Sequence, residues 1–294
     1  MATRYGTATA DRARWSDEVA ARRTGVPTMA HRSSHRSIGE YRLPTTALIA
    51  ATVVVGICAF AVPAAMVAGG DLAPGRAAAS TTTAVAEYWH SGQSAPTPEL
   101  AHMVAQWQHF HAAKAVLAVA LLALSLMLSV RLYRRWRSHS PSRWSAVGAG
   151  GAALTASLAT VVLVANIQGT LAPLSSVLSF LPSGNGAARP VGDALGGYPA
   201  SGDAHPALTV LVDDFARYHV VVAVAAALLT VVLLAVGAYL IRRSSTASRS
   251  SRLRRTAAVT ACLLGAAAWG LLSAANLSSA LHPAAALTGF FVGG

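Results

Sequence analysis

Five apolar stretches dominate the chain, at 45–68, 112–132, 146–168, 219–241 and 256–280. Each reaches the roughly 20 residues that carry an α-helix across the hydrocarbon of a bilayer. The pattern therefore predicts an all-α integral membrane protein of about five transmembrane helices. Between the stretches lie two long polar segments, 69–111 and 169–218, and two short arginine-bearing turns. The polar segments hold tracts such as Ser80-Thr81-Thr82-Thr83 and Ser183-Gly184-Asn185-Gly186, which read as flexible loops over 69–97 and 182–205. Their ends, 98–111 and 206–218, carry an apolar face at helical spacing: Leu100, Val104 and Trp107 in one, Leu208, Val212 and Phe215 in the other. These patches either lie on the outer membrane surface or extend the next helix outward. Residues 1–44 are polar, arginine-rich and without helical periodicity, and read as a disordered cytoplasmic tail, with Met29 as an alternative start. The stretch 45–68 reads as a retained signal anchor; the small residues around Ala61-Val62-Pro63-Ala64-Ala65 leave a cleaved signal sequence as the alternative.

Charge orients these elements. Eight arginines precede the first stretch, five lie in Arg131 to Arg143 and six in Arg242 to Arg255, whereas seven of the eleven acidic residues fall in the remaining loops. This is the positive-inside pattern. It puts the amino terminus in the cytoplasm and the carboxyl terminus outside, in a plasma membrane. The net charge of +12 thus reports orientation, and nucleic acid is not an expected partner. Composition agrees with the class: 54% of residues are hydrophobic and only 12% charged, against about a quarter in soluble domains. The alanine-rich, lysine-poor usage fits a GC-rich bacterial genome.

A repeat underlies the pattern. An offset of 108 pairs Pro98 with Pro206, Leu100 with Leu208, Trp107 with Phe215, Phe110 with Tyr218, His111 with His219 and Arg134-Arg135 with Arg242-Arg243. An offset of 110 continues it, pairing Asn166 with Asn276, Leu171 with Leu281, Pro173 with Pro283 and Phe180 with Phe290. Alanine-rich helices align by chance; His, Asn, Pro and paired Arg at fixed offsets do not. The chain thus reads as a tandem-duplicated pair of helical hairpins, 98–181 and 206–291. Both have the same orientation, so they should form a pseudo-two-fold four-helix bundle about the membrane normal. Small residues, Gly148, Gly150, Gly151 and Ala152 in one helix and Gly265, Ala266 and Ala267 in another, should permit close packing. The first helix has no counterpart and should pack outside this bundle.

Polar groups at membrane depth are costly and mark function or pairing. His111 and His219 stand at the outer ends of the two inward spans, and Asn166 and Asn276 return to that level about 20 residues into the outward spans. Symmetry would gather all four around one axis. Two imidazoles so placed could ligate a haem iron or, with other external histidines, a transition metal. The alternative is that they anchor helices, with the asparagines bonding between them. Lys114, matched by Val222 in the second hairpin, should snorkel to the outer interface, or else touch a substrate or quinone. Asp213 and Asp214 should cap the fourth span. Cys58 and Cys262 differ too much in depth to be bridged and read as small apolar fillers.

No phosphate loop, GxSxG, HExxH or CxxC occurs, and no charge lies in the middle of a span. These absences lead to a non-enzymatic, multi-pass membrane protein with the lipid bilayer, and other membrane subunits, as partners: an accessory or structural subunit. A haem- or metal-binding protein using His111 and His219 is the alternative, and a small permease the second.

Overall fold

The computed structural model describes residues 44–138, 142–182, 189–198, 205–242 and 249–292. The amino-terminal tail expected over 1–44 lies almost wholly outside these residues, as does the Ser183-Gly184-Asn185-Gly186 tract. Every regular element among the described residues is helical: α1 (Thr45–Val67), α2 (Ala77–Ser91), α3 (Pro98–Trp136), α4 (Arg143–Leu171), α5 (Pro173–Leu178), α6 (Arg189–Gly196), α7 (Pro206–Arg242), α8 (Arg249–Leu281) and α9 (Pro283–Val292). Five of them, α1, α3, α4, α7 and α8, are long and apolar enough to cross a membrane. Such a chain belongs in a lipid bilayer.

The amphipathic patches at 98–111 and 206–218 extend the next helix, so α3 and α7 each run well beyond the length a bilayer requires. Prolines set the boundaries. Pro98, Pro173, Pro206 and Pro283 each open a helix, where the missing N–H is an orphan in any case and φ is already helical. Pro173 and Pro283 also end the second long helix of each hairpin, separating α4 from α5 at Ala172 and α8 from α9 at His282. The breaks share one pattern, with Ala172 N–H donating to Gln168 O and His282 N–H to Ser278 O.

The long helices pack in the order α1 on α3, α3 on α4, α4 on α7 and α7 on α8. Within each hairpin small residues admit the partner helix: a β-carbon on Gly148 would stand 3.0 Å from Leu132 Cδ1, and one on Gly265 3.1 Å from Leu233 Cδ1. Gly150 and Gly151, by contrast, face nothing within 4 Å, so only part of the expected small-residue stripe is at the contact. Hydroxyls add bonds across the hairpins, from Ser129 Oγ to Ala149 O at 3.1 Å and from Ser273 Oγ to Ala223 O at 2.8 Å. At the arginine-bearing end the hairpins meet where the Arg254 guanidinium lies 4.9 Å from the Trp136 ring centroid, a cation–π contact. The first helix packs on the outer side of α3, where Leu48 is buried with Leu128 and Ala152. Cys58 and Cys262 are free thiols.

The main core is not among the spans but at their other end. There α2, α5, α6, α9 and the first turns of α3 and α7 bury Tyr88, Leu100, Val177, Leu178, Val191, Leu208, Leu211 and Leu287 as one cap. Its location follows from the solvent. Burying apolar surface is strongly favourable only where the alternative is water, roughly 1.5–3 kcal/mol for a large side chain. Lipid tails offer no such gain, so the spans leave Val116, Leu228 and Leu264 on their surface.

The cap overturns one expectation. The Ser80-Thr81-Thr82-Thr83 tract is not a loop but the middle of α2. Flanking alanines favour the helix, and Ala77, Thr81, Ala84, Val85 and Tyr88 form one buried stripe at spacings of three and four. Thr82 Oγ1 is satisfied by donating to Ala78 O at 2.8 Å. Tyr88, 1% exposed, donates its hydroxyl to Ser94 O at 2.9 Å, and burial pushes its phenol above the usual tyrosine range. Gly92, at φ 66°, ends the helix in a left-handed turn that other residues rarely adopt. The second loop, 182–205, likewise contains a helix, α6, which buries Val191 and Leu195 against the cap.

Candidate functional site

The polar residues singled out by sequence meet as two pairs, one in each hairpin, where the spans enter the cap. In the first, His111 Nδ1 lies 2.9 Å from Asn166 Oδ1 and Asn166 Nδ2 donates to Val162 O at 2.6 Å. In the second, His219 Nδ1 lies 2.8 Å from Asn276 Oδ1 and Asn276 Nδ2 donates to Leu272 O at 2.8 Å. Each amide spends its N–H on a backbone carbonyl one turn back, so its oxygen must accept from the imidazole. That fixes the tautomer: the proton sits on Nδ1, and Nε2 of a neutral ring presents a lone pair.

Aromatic neighbours repeat as well. Trp107 meets the His111 ring edge-on at 4.8 Å and Phe110 at 5.4 Å; Phe215 meets His219 at 4.5 Å and Tyr218 at 5.4 Å. Trp107 and Phe215 stand four positions before each histidine, the spacing at which helical geometry brings side chains together, and Phe110 and Tyr218 are its chain neighbours.

The pairs differ at Nε2. His111 Nε2 lies 3.1 Å from Ser176 Oγ, and that oxygen accepts the Trp107 indole N–H at 2.9 Å. The chain of bonds runs from Trp107 through Ser176 and His111 to Asn166, and both imidazole nitrogens are engaged. Gly169 makes room: a β-carbon there would be driven into the His111 ring. His219 instead borders a cavity of about 350 Å³ lined with Ser175, Ser179, Phe215, Tyr218, Ser279 and Ala286.

The short helix α5 stands between the two pairs, with Ser176 on His111 and Ser175 and Ser179 on the cavity beside His219. It is held by Asp214, which is 9% exposed and accepts the Ser175 N–H at 2.7 Å and hydroxyl at 2.8 Å on Oδ2. Asp214 therefore caps α5 rather than the fourth span. A carboxylate is well suited to that place, since the first amides of a helix lack partners and carry partial positive charge. Asp213, one residue earlier, is exposed. A side-chain hydrogen bond between Gln168 and Tyr218 joins α4 to α7 beside the same helix.

Lys114 lies one turn past His111 with Nζ 5.0 Å from the Phe110 ring centroid, a cation–π contact at the rim of the first pair. Its counterpart Val222 is buried.

Among the described residues no group of three or more His, Cys, Asp or Glu side chains gathers as a metal site. A haem held between His111 and His219 fits the geometry poorly, because His111 has no ring nitrogen without a protein partner. Comparison with protein-family models, curated proteins and solved structures finds no match to this chain.

Ser176, Ser175 and Gly169 complete the site and were not singled out by sequence, whereas Trp107 was read only as part of an apolar face and Asp214 only as a cap for its own helix. The signal for two of them lay in the repeat. At the offset of 110, Gly169 falls on Ser279 and Ser176 on Ala286, two of the places where the hairpins depart at the histidines.

Proposed function

We propose that the chain is a non-enzymatic subunit of a plasma membrane, built from two tandem copies of a helical hairpin related by a pseudo-two-fold axis. The arginine ends lie in the cytoplasm, and the carboxyl terminus and the cap lie outside. The duplication is supported by the shared His–Asn bond, the shared asparagine-to-carbonyl bond one turn back, and the two proline breaks at one offset.

The observation that carries the subunit reading is how the polar residues are spent. His111 and both asparagines bond to protein groups that fix helix to helix and hairpin to cap, which is the work of packing at the interface rather than of turnover. The span surfaces agree with a role beside other membrane proteins. In α8 only 6% of the most apolar 18 residues is buried within the chain, against 28% in α4.

Purification from the native membrane in a mild detergent, followed by visible spectroscopy, metal analysis and native mass spectrometry, tests this reading. A colourless, metal-free protein bound to one partner polypeptide at fixed stoichiometry is expected. A Soret band, stoichiometric metal, or a chain that emerges alone from gently solubilised membranes refutes it.

A further inference from the structure

The second histidine has lost what the first one uses. Around His111, Ser176 closes Nε2, Trp107 holds that serine, and Gly169 lets the ring press against α4. The corresponding residues in the second hairpin are Ala286, Phe215 and Ser279, so the hydroxyl and the indole N–H are gone and a side chain stands where the glycine was. The His–Asn bond is nonetheless retained. It keeps the proton of a neutral His219 on Nδ1 and leaves its Nε2 lone pair without the hydroxyl that His111 has, on a ring that lines the 350 Å³ cavity.

The rest of the wall has the same polarity. Ser175 Oγ donates to Asp214, Ser179 Oγ to Ser176 O at 2.7 Å, and Ser279 Oγ to Ala275 O at 3.3 Å. Each hydroxyl proton is spent inside the protein, and each oxygen keeps lone pairs. The cavity therefore offers acceptors and asks for donors. It does not ask for a cation: Asp214, the nearby carboxylate, already takes two bonds on Oδ2 and has Arg217 3.9 Å from Oδ1. Phe215, the ring of Tyr218 and Ala286 make the remaining wall largely apolar and partly aromatic, suited to a flat ring, with the Tyr218 hydroxyl engaged by Gln168. His219 stands where the apolar stretch 219–241 begins, the level at which a lipid-soluble molecule carries its polar headgroup.

We propose that this cavity binds the headgroup of a hydroquinone, a neutral ring whose hydroxyl donates to His219 Nε2 and whose ring lies against the aromatic wall. The reduced form donates hydrogen bonds and the oxidised quinone only accepts them, so an acceptor-lined site must tell the two apart.

The test uses the full chain in phosphatidylcholine nanodiscs, with decylubiquinol kept reduced under argon and decylubiquinone as probes, and bound probe measured by chromatography against empty nanodiscs. Saturable binding at one per chain is expected, at least about tenfold tighter for the reduced probe, the value of roughly one hydrogen bond. Ala286→Ser should restore the hydroxyl that closes Nε2 and weaken binding of the reduced probe by about tenfold. The triple variant Phe215→Trp, Ser279→Gly, Ala286→Ser rebuilds the first cluster and should abolish it. Ser176→Ala, at the other histidine, should leave it unchanged. Equal affinity for both redox forms in the wild type overturns the proposal without recourse to any variant. So does wild-type affinity in a folded Ala286→Ser protein, or no binding above empty nanodiscs.

Discussion

Replacing Gly169 by alanine sets two effects of known size against each other. Glycine inside a helix costs about 1 kcal/mol relative to alanine, so on helix propensity alone the variant should be more stable. At this position, however, the new β-carbon enters the space of the His111 imidazole. The ring has little freedom to yield, with Asn166 at 2.9 Å on one nitrogen, Ser176 at 3.1 Å on the other and Trp107 across its edge at 4.8 Å. Overpacking of a filled site costs about 1–3 kcal/mol, and each displaced hydrogen bond between membrane helices about 0.6 to 1.7 kcal/mol. The balance is a destabilisation of about 1–3 kcal/mol once the propensity gain is subtracted. Gly151→Ala is the control, because a β-carbon there meets nothing within 4 Å, and it should be neutral or stabilising by up to about 1 kcal/mol. Reversible unfolding in detergent, followed by circular dichroism, measures both. A Gly169→Ala protein as stable as wild type, beside a Gly151→Ala protein that behaves as expected, would refute the idea that the first imidazole is locked in place.

Other consequences can be checked in the same preparation. Asn166→Leu leaves the His111 Nδ1–H without its acceptor in a site where Asn166 is 5% exposed, and should cost about 1–3 kcal/mol; Asn276→Leu, at a half-buried position, should cost less, and the reverse order would contradict the assignment. Asp214→Asn should lower stability by about 1–2 kcal/mol through the weakened cap of α5, while Asp213→Asn at its exposed neighbour should change it by less than about 0.5 kcal/mol. Leu287→Ala, in the cap, should cost about 2–5 kcal/mol, whereas Leu264→Ala on the exposed surface of α8 should cost under about 1 kcal/mol in the isolated chain; equal losses would deny that the core sits in the cap. In a variant without Cys58 and Cys262, a membrane-impermeant thiol reagent applied to intact cells should label a cysteine near position 190 and spare those near 138 and 248. The opposite pattern would invert the orientation.

The five spans were legible because their signal is additive: some 20 apolar residues in a row outweigh any local ambiguity. The histidines and asparagines were legible because polar side chains are rare in such apolar stretches and these four recur at matching offsets in the sequence. Their pairing within each hairpin, rather than around a common axis, was not, since α5 stands between the pairs and its position depends on packing in the cap. The helix over Ala77–Ser91 was hidden for a related reason. A run of serine and threonine has weak helical preference alone, and only burial of the Ala77, Thr81, Ala84, Val85, Tyr88 stripe decides its state. Asp214 read as a cap for the helix that carries it, yet a carboxylate side chain serves whichever helix start lies within reach, and that was α5.

The cap also depends for its completion on the last helix of the chain. Its core combines α2, which follows the first span, α5 and α6, which follow the third, and α9, which follows the last, with Leu287 of α9 fully enclosed. Without α9, Val191, Leu195 and Leu211 lack part of their cover and leave apolar surface exposed. A chain cut short before α9 should therefore expose that surface, which increased protease sensitivity of the cap would report.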